Sequence, residues 1–223
     1  MKKLLLFSVL IWMITTGNCR AQTSVKDKMK QRAEIMEQNR RLQEMKVSEG
    51  SMEQAKEMKA DGWKVMPGRL PLEQQIERSA LFQNQFEEDF ITPAYVWGEA
   101  TTEAETYDAG LFQALEFARL NLAGNIESKV TQLVDNKLGN NQKGAGIAQS
   151  ISTSMGKAKS LVSQKLGQTS PVVSAYRMLP TGVYQVRVMT FYSMAEARRL
   201  AIEAVKAQSE KDGQQLAKIL YGE

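Results

Sequence analysis

Hydrophobic and polar positions fall into distinct regimes along the chain. Leu4 to Ile14 is almost unbroken apolar sequence, interrupted only by Ser8. From residue 24 to 61 the apolar positions thin to a narrow stripe. Val25, Met29, Ala33 and Met36 recur at steps of four, four and three on an otherwise charged, Met-rich segment, the spacing of one helix face. Ser24 with Asp27 and Ser51 with Gln54 fit the capping-box spacing, and Lys46 to Gly50 between them reads as a break. Residues 22–62 therefore read as a charged helical arm.

Trp63 to Met66 has the composition of a short strand, stopped by the turn pair Pro67-Gly68. Pro71 opens a helix in which Leu72, Ile76 and Ala80 recur by four, with Phe82, Phe86 and Phe90 continuing the step. Ala94 to Ala100 reads as a strand of aromatic and β-branched residues, in which Gly98 marks a close approach by a neighbour. The clearest element follows. Leu111, Leu115, Ala118, Leu122, Ile126, Val130 and Leu133 step by three or four over six turns, and Gly139 ends the run.

Residues 140–170 are rich in Gly, Ser, Gln and Lys, with Ile147, Ile151, Met155 and Leu161-Val162 keeping a weak helical spacing. They read as a mobile helical insertion. Val172 to Tyr176 and Val183 to Tyr192, joined at Pro180-Thr181-Gly182, make a hairpin whose return strand alternates apolar Tyr184, Val186 and Val188 with wet Gln185 and Arg187. A last helix carries a capping box at Ser193 and Glu196 and a break at Gly213. The fold class that results is α+β: a small antiparallel sheet covered on one face by long helices, occupying 63–223 behind the arm.

The amino terminus changes the picture. Lys2 and Lys3, the apolar run and the small polar residues after it have the layout of a secretory signal peptide over 1–21. Small residues at Cys19 and Ala21 place cleavage between Ala21 and Gln22. The rival reading is lipidation at Cys19, disfavoured because Asn18 precedes it where Gly, Ala or Ser is usual. Removing 1–21 takes away Lys2, Lys3 and Arg20 and no acid, so the net charge falls from +4 to +1. The nearly neutral remainder gives no footing for nucleic acid. The apolar run is itself too short to span a bilayer, and no other segment is apolar for as long, so no membrane span is expected after cleavage.

The chain has no His, and Cys19 is its one cysteine. Imidazole bases, Ser-His-Asp triads and thiolate chemistry are therefore excluded after cleavage, and no cofactor or metal is expected. Gly144 to Gly146 and Gly156-Lys157 lack the frame of a phosphate loop. Glu87-Glu88-Asp89 reads as a solvated face rather than a cation site. Arg119 reads as the partner of a nearby acid. Glu99, Glu103 and Glu105 form the one carboxylate cluster that an enzyme acting on envelope glycans would use. Trp63, Tyr95 and Trp97 are the rings that a small-ligand carrier would use, although core packing is their ordinary task.

Three segments carry a resemblance: Tyr95 to Ala100, Ala118-Arg119-Leu120-Asn121-Leu122-Ala123, and Val183 to Val188. Over roughly 93–210 the chain resembles the LPP-twenty type of bacterial envelope lipoprotein domain, related to the amino-terminal domain of the flagellar assembly protein FlgT. The resemblance implies a structural or accessory envelope protein. The sequence reading is thus a non-catalytic protein exported to the periplasm or outer-membrane periphery. It acts by binding a protein partner or its own copy, with Met29 and Met36 of the arm as the candidate contact. The alternatives are the glycan-acting enzyme and the ligand carrier.

Overall fold

The computed structural model describes Met29, Lys30, Ala33, Glu37, Arg40 and residues 45–139, 142–167 and 169–222. The leader, its cleavage position Ala21–Gln22, Cys19 and Met36 lie outside the described residues. The chain divides into two compact units, Met1–Lys46 and Val47–Glu223. In the first, the described residues from Met29 to Arg40 are helical and Met29 is exposed.

The second unit is α+β. It contains α1 (Glu49–Ala60), α2 (Leu72–Gln83), β1 (Tyr95–Ala104), α3 (Tyr107–Leu138), α4 (Gln142–Lys165), β2 (Val173–Met178), β3 (Tyr184–Ser193), α5 (Met194–Gln208) and α6 (Glu210–Tyr221). The sheet is antiparallel with order β1-β3-β2. No described helix is long and apolar enough to cross a membrane.

The boundary of the arm needs correction. α1 belongs to the second unit. Its cap is Ser48, whose Oγ accepts from the Ser51 N–H, so Gly50 sits inside the first turn and Ser51 is not the cap. Ala55 is buried with Trp63, Leu72, Ile76 and Ala175, and Met58 packs beside them. Glu77 of α2 accepts from the N–H of Ser48 at 3.0 Å and from its hydroxyl at 2.5 Å. These bonds, the hydroxyl's first, hold the Glu77 carboxyl below the usual range. The segment 63–66 forms no strand. Lys64 instead makes an isolated bridge to Tyr176, and the Arg177 guanidinium lies 4.9 Å above the Trp63 ring.

α3 explains the core. Its buried positions Ala114, Ala118, Leu122, Ile126, Val130 and Val134 recur every four residues. A spacing of four drifts by about 40° per step on a helix of 3.6 residues per turn, so the buried stripe winds around α3. Its first half meets Val186 and Val188 of the sheet. Its second half outruns the sheet and packs against Ile151, Met155, Ala201, Val205 and Leu216. Gly98 lets the two layers touch: a Cβ there would fall on the Ala118 carbonyl and the Leu122 backbone. The close approach read from the sequence is therefore real, and it seats the middle of β1 against α3.

Residues 142–165 are helical as expected but are not a peripheral insertion. Ile151, Met155, Ala158 and Val162 of α4 are at most 1% exposed. Ser150 and Ser154 donate to the Asp212 carboxylate of α6 at 3.0 and 2.6 Å. The Ser content that suggests a linker ties the helices together through Ser150 and Ser154, while a Cβ at Gly146 or Gly156 would meet nothing closer than 3.5 Å. The sheet face expected to be open is also partly covered, because α1 and α2 lie over Ala175, Val173 and Met189. Ser193 precedes α5 but makes no side-chain capping bond. The carboxy-terminal break falls at Ser209, not Gly213. Gly213 lies inside α6, where a Cβ would stand 2.8 Å from the Lys206 backbone.

Candidate interaction surface

A sheet can recruit a partner strand through its unpaired edges, so the edges come first. β1 is one edge. Asn121 and Asn125, one turn apart on α3, donate their side-chain amides to the carbonyls of Glu99 and Trp97 at 2.8 and 2.7 Å. β2 is the other edge. The Ser174 N–H donates to Gln75 Oε1 at 2.7 Å, and Tyr176 exchanges both backbone bonds with Lys64. Gln75 is buried, and its amide donates in turn to the Leu70 carbonyl. Both edges thus carry specific polar covers from helices or loops, and the central part of each is closed to strand addition.

The segment between α2 and β1 is a different kind of surface. The helical spacing through Phe82, Phe86 and Phe90 predicts a continuous face, but α2 stops at Gln83. The Asn84 side chain donates to the Ala80 carbonyl, and the chain turns back on itself, with Phe86 bridging Pro93. Glu87 donates its N–H to the Thr92 carbonyl, and Ala94 donates to that of Gln85. Asp89 accepts from the N–H groups of Ile91 and Thr92 and from the Thr92 hydroxyl. These Thr92 and Ile91 bonds, the Thr92 hydroxyl's first, hold the Asp89 carboxyl below its usual range. The Glu87 carboxylate forms a two-pronged pair with Arg198 of α5, at 2.8 and 3.0 Å, the geometry in which an arginine pair is strongest.

This scaffold holds two bulky side chains in solvent. Phe90 is 85% exposed and Ile91 is 80% exposed. Phe90 has φ +55°, a region an aromatic residue enters at a cost of about 1–3 kcal/mol. Local bonds maintain a conformation that burial does not reward. The sequence signal for this feature was the acidic run itself: Glu87-Glu88-Asp89 is the frame of a turn, and no group of three metal-ligating side chains occurs among the described residues.

A second surface lies on the first half of α3. There Phe112 is 67% exposed. A cleft of about 360 Å³ runs between this part of α3 and Gly167, Thr169, Ser170 and Pro171, lined also by Arg69, Phe112, Leu115, Glu116 and Arg119. Arg119 pairs with Glu116 one turn away, as the sequence reading has it, and also donates to the Gly167 carbonyl at 3.4 Å.

The other candidates are dispersed. Glu99 pairs with Arg187, and Glu103 accepts from Gln185. They stand four residues apart on β1, about 13 Å along a strand, with Glu105 beyond its end. The three carboxylates are not drawn into one cleft. Of the three rings, Trp63 stands apart in the small core under α1. Tyr95 and Trp97 join one aromatic cluster, Tyr95 tilted against Phe82 at 4.5 Å and Trp97 against Phe191 at 6.1 Å, with Phe82 and Phe191 in contact at 5.2 Å, and Trp97 lines a groove of about 390 Å³ with Glu99 and Arg187. No protein family, curated protein or solved structure matches the chain.

Proposed function

We propose that this is a non-catalytic exported protein of a bacterial envelope. It acts through protein binding as a structural or accessory subunit of a periplasmic or outer-membrane assembly. The observation that carries the reading is the braced 84–94 loop, which spends six local hydrogen bonds and an arginine pair on presenting Phe90 and Ile91 to solvent. Large apolar side chains held out on an ordered loop are anchors for a partner. The polar covers on both sheet edges support contact through side chains over strand exchange. The amino-terminal sequence supports export, with Gln22 as the first mature residue and lipidation at Cys19 as its rival.

Two measurements test the proposal. Intact mass and membrane fractionation of the native protein separate a Gln22 start from an acylated Cys19, and retention of the leader in a cytoplasmic protein sinks the address. Crosslinking in intact cells from a photoreactive residue at position 90 tests the action. A reproducible crosslinked species is expected, and its absence under all growth conditions overturns the binding role.

A further inference from the structure

The loop tip and the α3 cleft are complementary in charge, and each presents an exposed aromatic. The tip offers Phe90 and Ile91 with Glu88 and Asp89 beside them, and with Glu87 already neutralised by Arg198. The cleft is lined by an exposed aromatic, Phe112, by Leu115 and by polar residues that include Arg69 and Arg119. Glu116 offsets Arg119, which leaves Arg69 as the cleft's uncompensated charge. An apolar anchor with an acidic flank is thus matched by a half-apolar cleft whose lining carries a net positive charge, the pairing that sets register and rejects wrong partners. An anionic lipid surface fits the tip poorly, because Glu88 and Asp89 would enter a negative potential beside the rings.

We infer that the Phe90–Ile91 tip of one copy docks in the Arg69–Phe112–Arg119 cleft of a second copy. This inference rests on the binding role proposed above and names its partner. Because tip and cleft are different patches of one surface, the contact is either exchanged twice about a two-fold axis or repeated head to tail. Either form produces concentration-dependent assembly. Phe90 is its anchor, and Glu88 with Arg69 sets its charge match.

Sedimentation velocity on the chain of residues 22–223, across concentration and salt, tests this. Assembly above the monomer is expected, weakening at about 0.5 M salt where exposed charges are screened. Phe90→Gly keeps a residue suited to φ +55° and removes only the anchor, so the loop stays folded. It should raise the assembly Kd about 30-fold, as loss of a central aromatic anchor does. Glu88→Lys and Arg69→Glu should each weaken self-assembly. Mixed together they should reassemble, because each variant then meets the opposite charge. A chain still monomeric at about 1 mM, where even millimolar affinity is visible, overturns the inference. So does assembly indifferent to all three variants, or failure of the mixture to recover. A monomer that nevertheless crosslinks a different protein through position 90 overturns the second-copy partner and leaves the binding role standing. A monomer that crosslinks nothing overturns both.

Discussion

α4 and the 84–94 loop invert each other. The α4 sequence is rich in glycine, serine and lysine, yet Ile151, Met155, Ala158 and Val162 belong to the largest core cluster. The loop sequence carries Phe86, Phe90 and Ile91, yet all three are exposed. Composition ranks the two segments the wrong way round. Period and local bonding rank them correctly. In α4 the few apolar residues recur at three and four, so they make one face, which packs among α3, α5 and α6. In the loop the step of four from Phe82 through Phe90 is broken by groups that prefer their own backbone, Asn84 and Asp89 above all.

The strongest way to break the contrast is to put a charge in α4. Met155→Lys places an ammonium among fully buried apolar neighbours. Loss of about 5 kcal/mol is expected, most of the stability of a typical domain. A denaturant titration should show no folded baseline. A well-folded Met155→Lys chain would show that α4 is separable from the core after all.

The second test concerns α1, which the sequence places with the arm and the structure with the domain. A chain of 47–223 and one of 63–223 differ by α1 and its links to α2. Losing the packing of Ala55 and Met58 and the Ser48–Glu77 bonds should cost about 2 kcal/mol, roughly 4–8 °C in midpoint for a unit of this size. Equal midpoints would return α1 to the arm.

What was legible follows from what makes a periodic signal. α3 and the hairpin were legible because a buried stripe and a half-wet strand each impose a period on sequence. Gly98 was legible because only a missing side chain permits so close a contact. The cap at Ser48 was hidden because its hydroxyl and N–H are fixed by Glu77, which accepts from both and lies 29 residues away. The edge covers were hidden for the same reason: Asn121, Asn125 and Gln75 look like surface residues until the strand beside them is known. The tip was hidden because a loop that exposes phenylalanine imitates a helix that buries it. The leader and arm, with Cys19, Ala21, Gln22 and Met36, stay a matter of sequence.

The third test measures how α4 is tied down. Asp212→Ala removes the acceptor of Ser150 and Ser154 and should cost about 1–3 kcal/mol through the hydroxyls left unpaired. The Asp212 carboxyl is held below its usual range, by the Ser154 hydrogen bond first and then by those of Ser150 and Ser209, against an opposing effect of burial. A depressed folded value gives stability that is present above the unfolded value near 4 and lost as pH falls through the folded one. The gap between the native chain and Asp212→Asn should therefore be constant from pH 7 to about 5. It should close only in acid below the ordinary aspartate range. A gap that closes near neutral pH would show that another group is titrating.

The smallest expected effect is the most informative about function. Phe90→Ala removes a large aromatic side chain, a change that costs about 3–5 kcal/mol in a core. Here the ring is almost entirely in solvent, and the bonds that shape the loop come from Glu87, Asp89, Thr92 and the backbone. Nothing in the folded unit loses contact when the ring goes. The left-handed backbone of residue 90 is no easier for Ala than for Phe, so no strain is released either. The thermal midpoint should stay within about 0.5 kcal/mol equivalent of the native chain, roughly 1–2 °C. The same substitution in α4, Met155→Ala, should cost about 2–5 kcal/mol. That difference, measured in one buffer on two single variants, isolates what the ring at position 90 does not do for the fold. Under the proposed binding role, its remaining work lies with a partner. If Phe90→Ala lowers the midpoint as far as Met155→Ala does, the ring is packed in solution, the loop is not a presented tip, and the binding surface must be sought elsewhere.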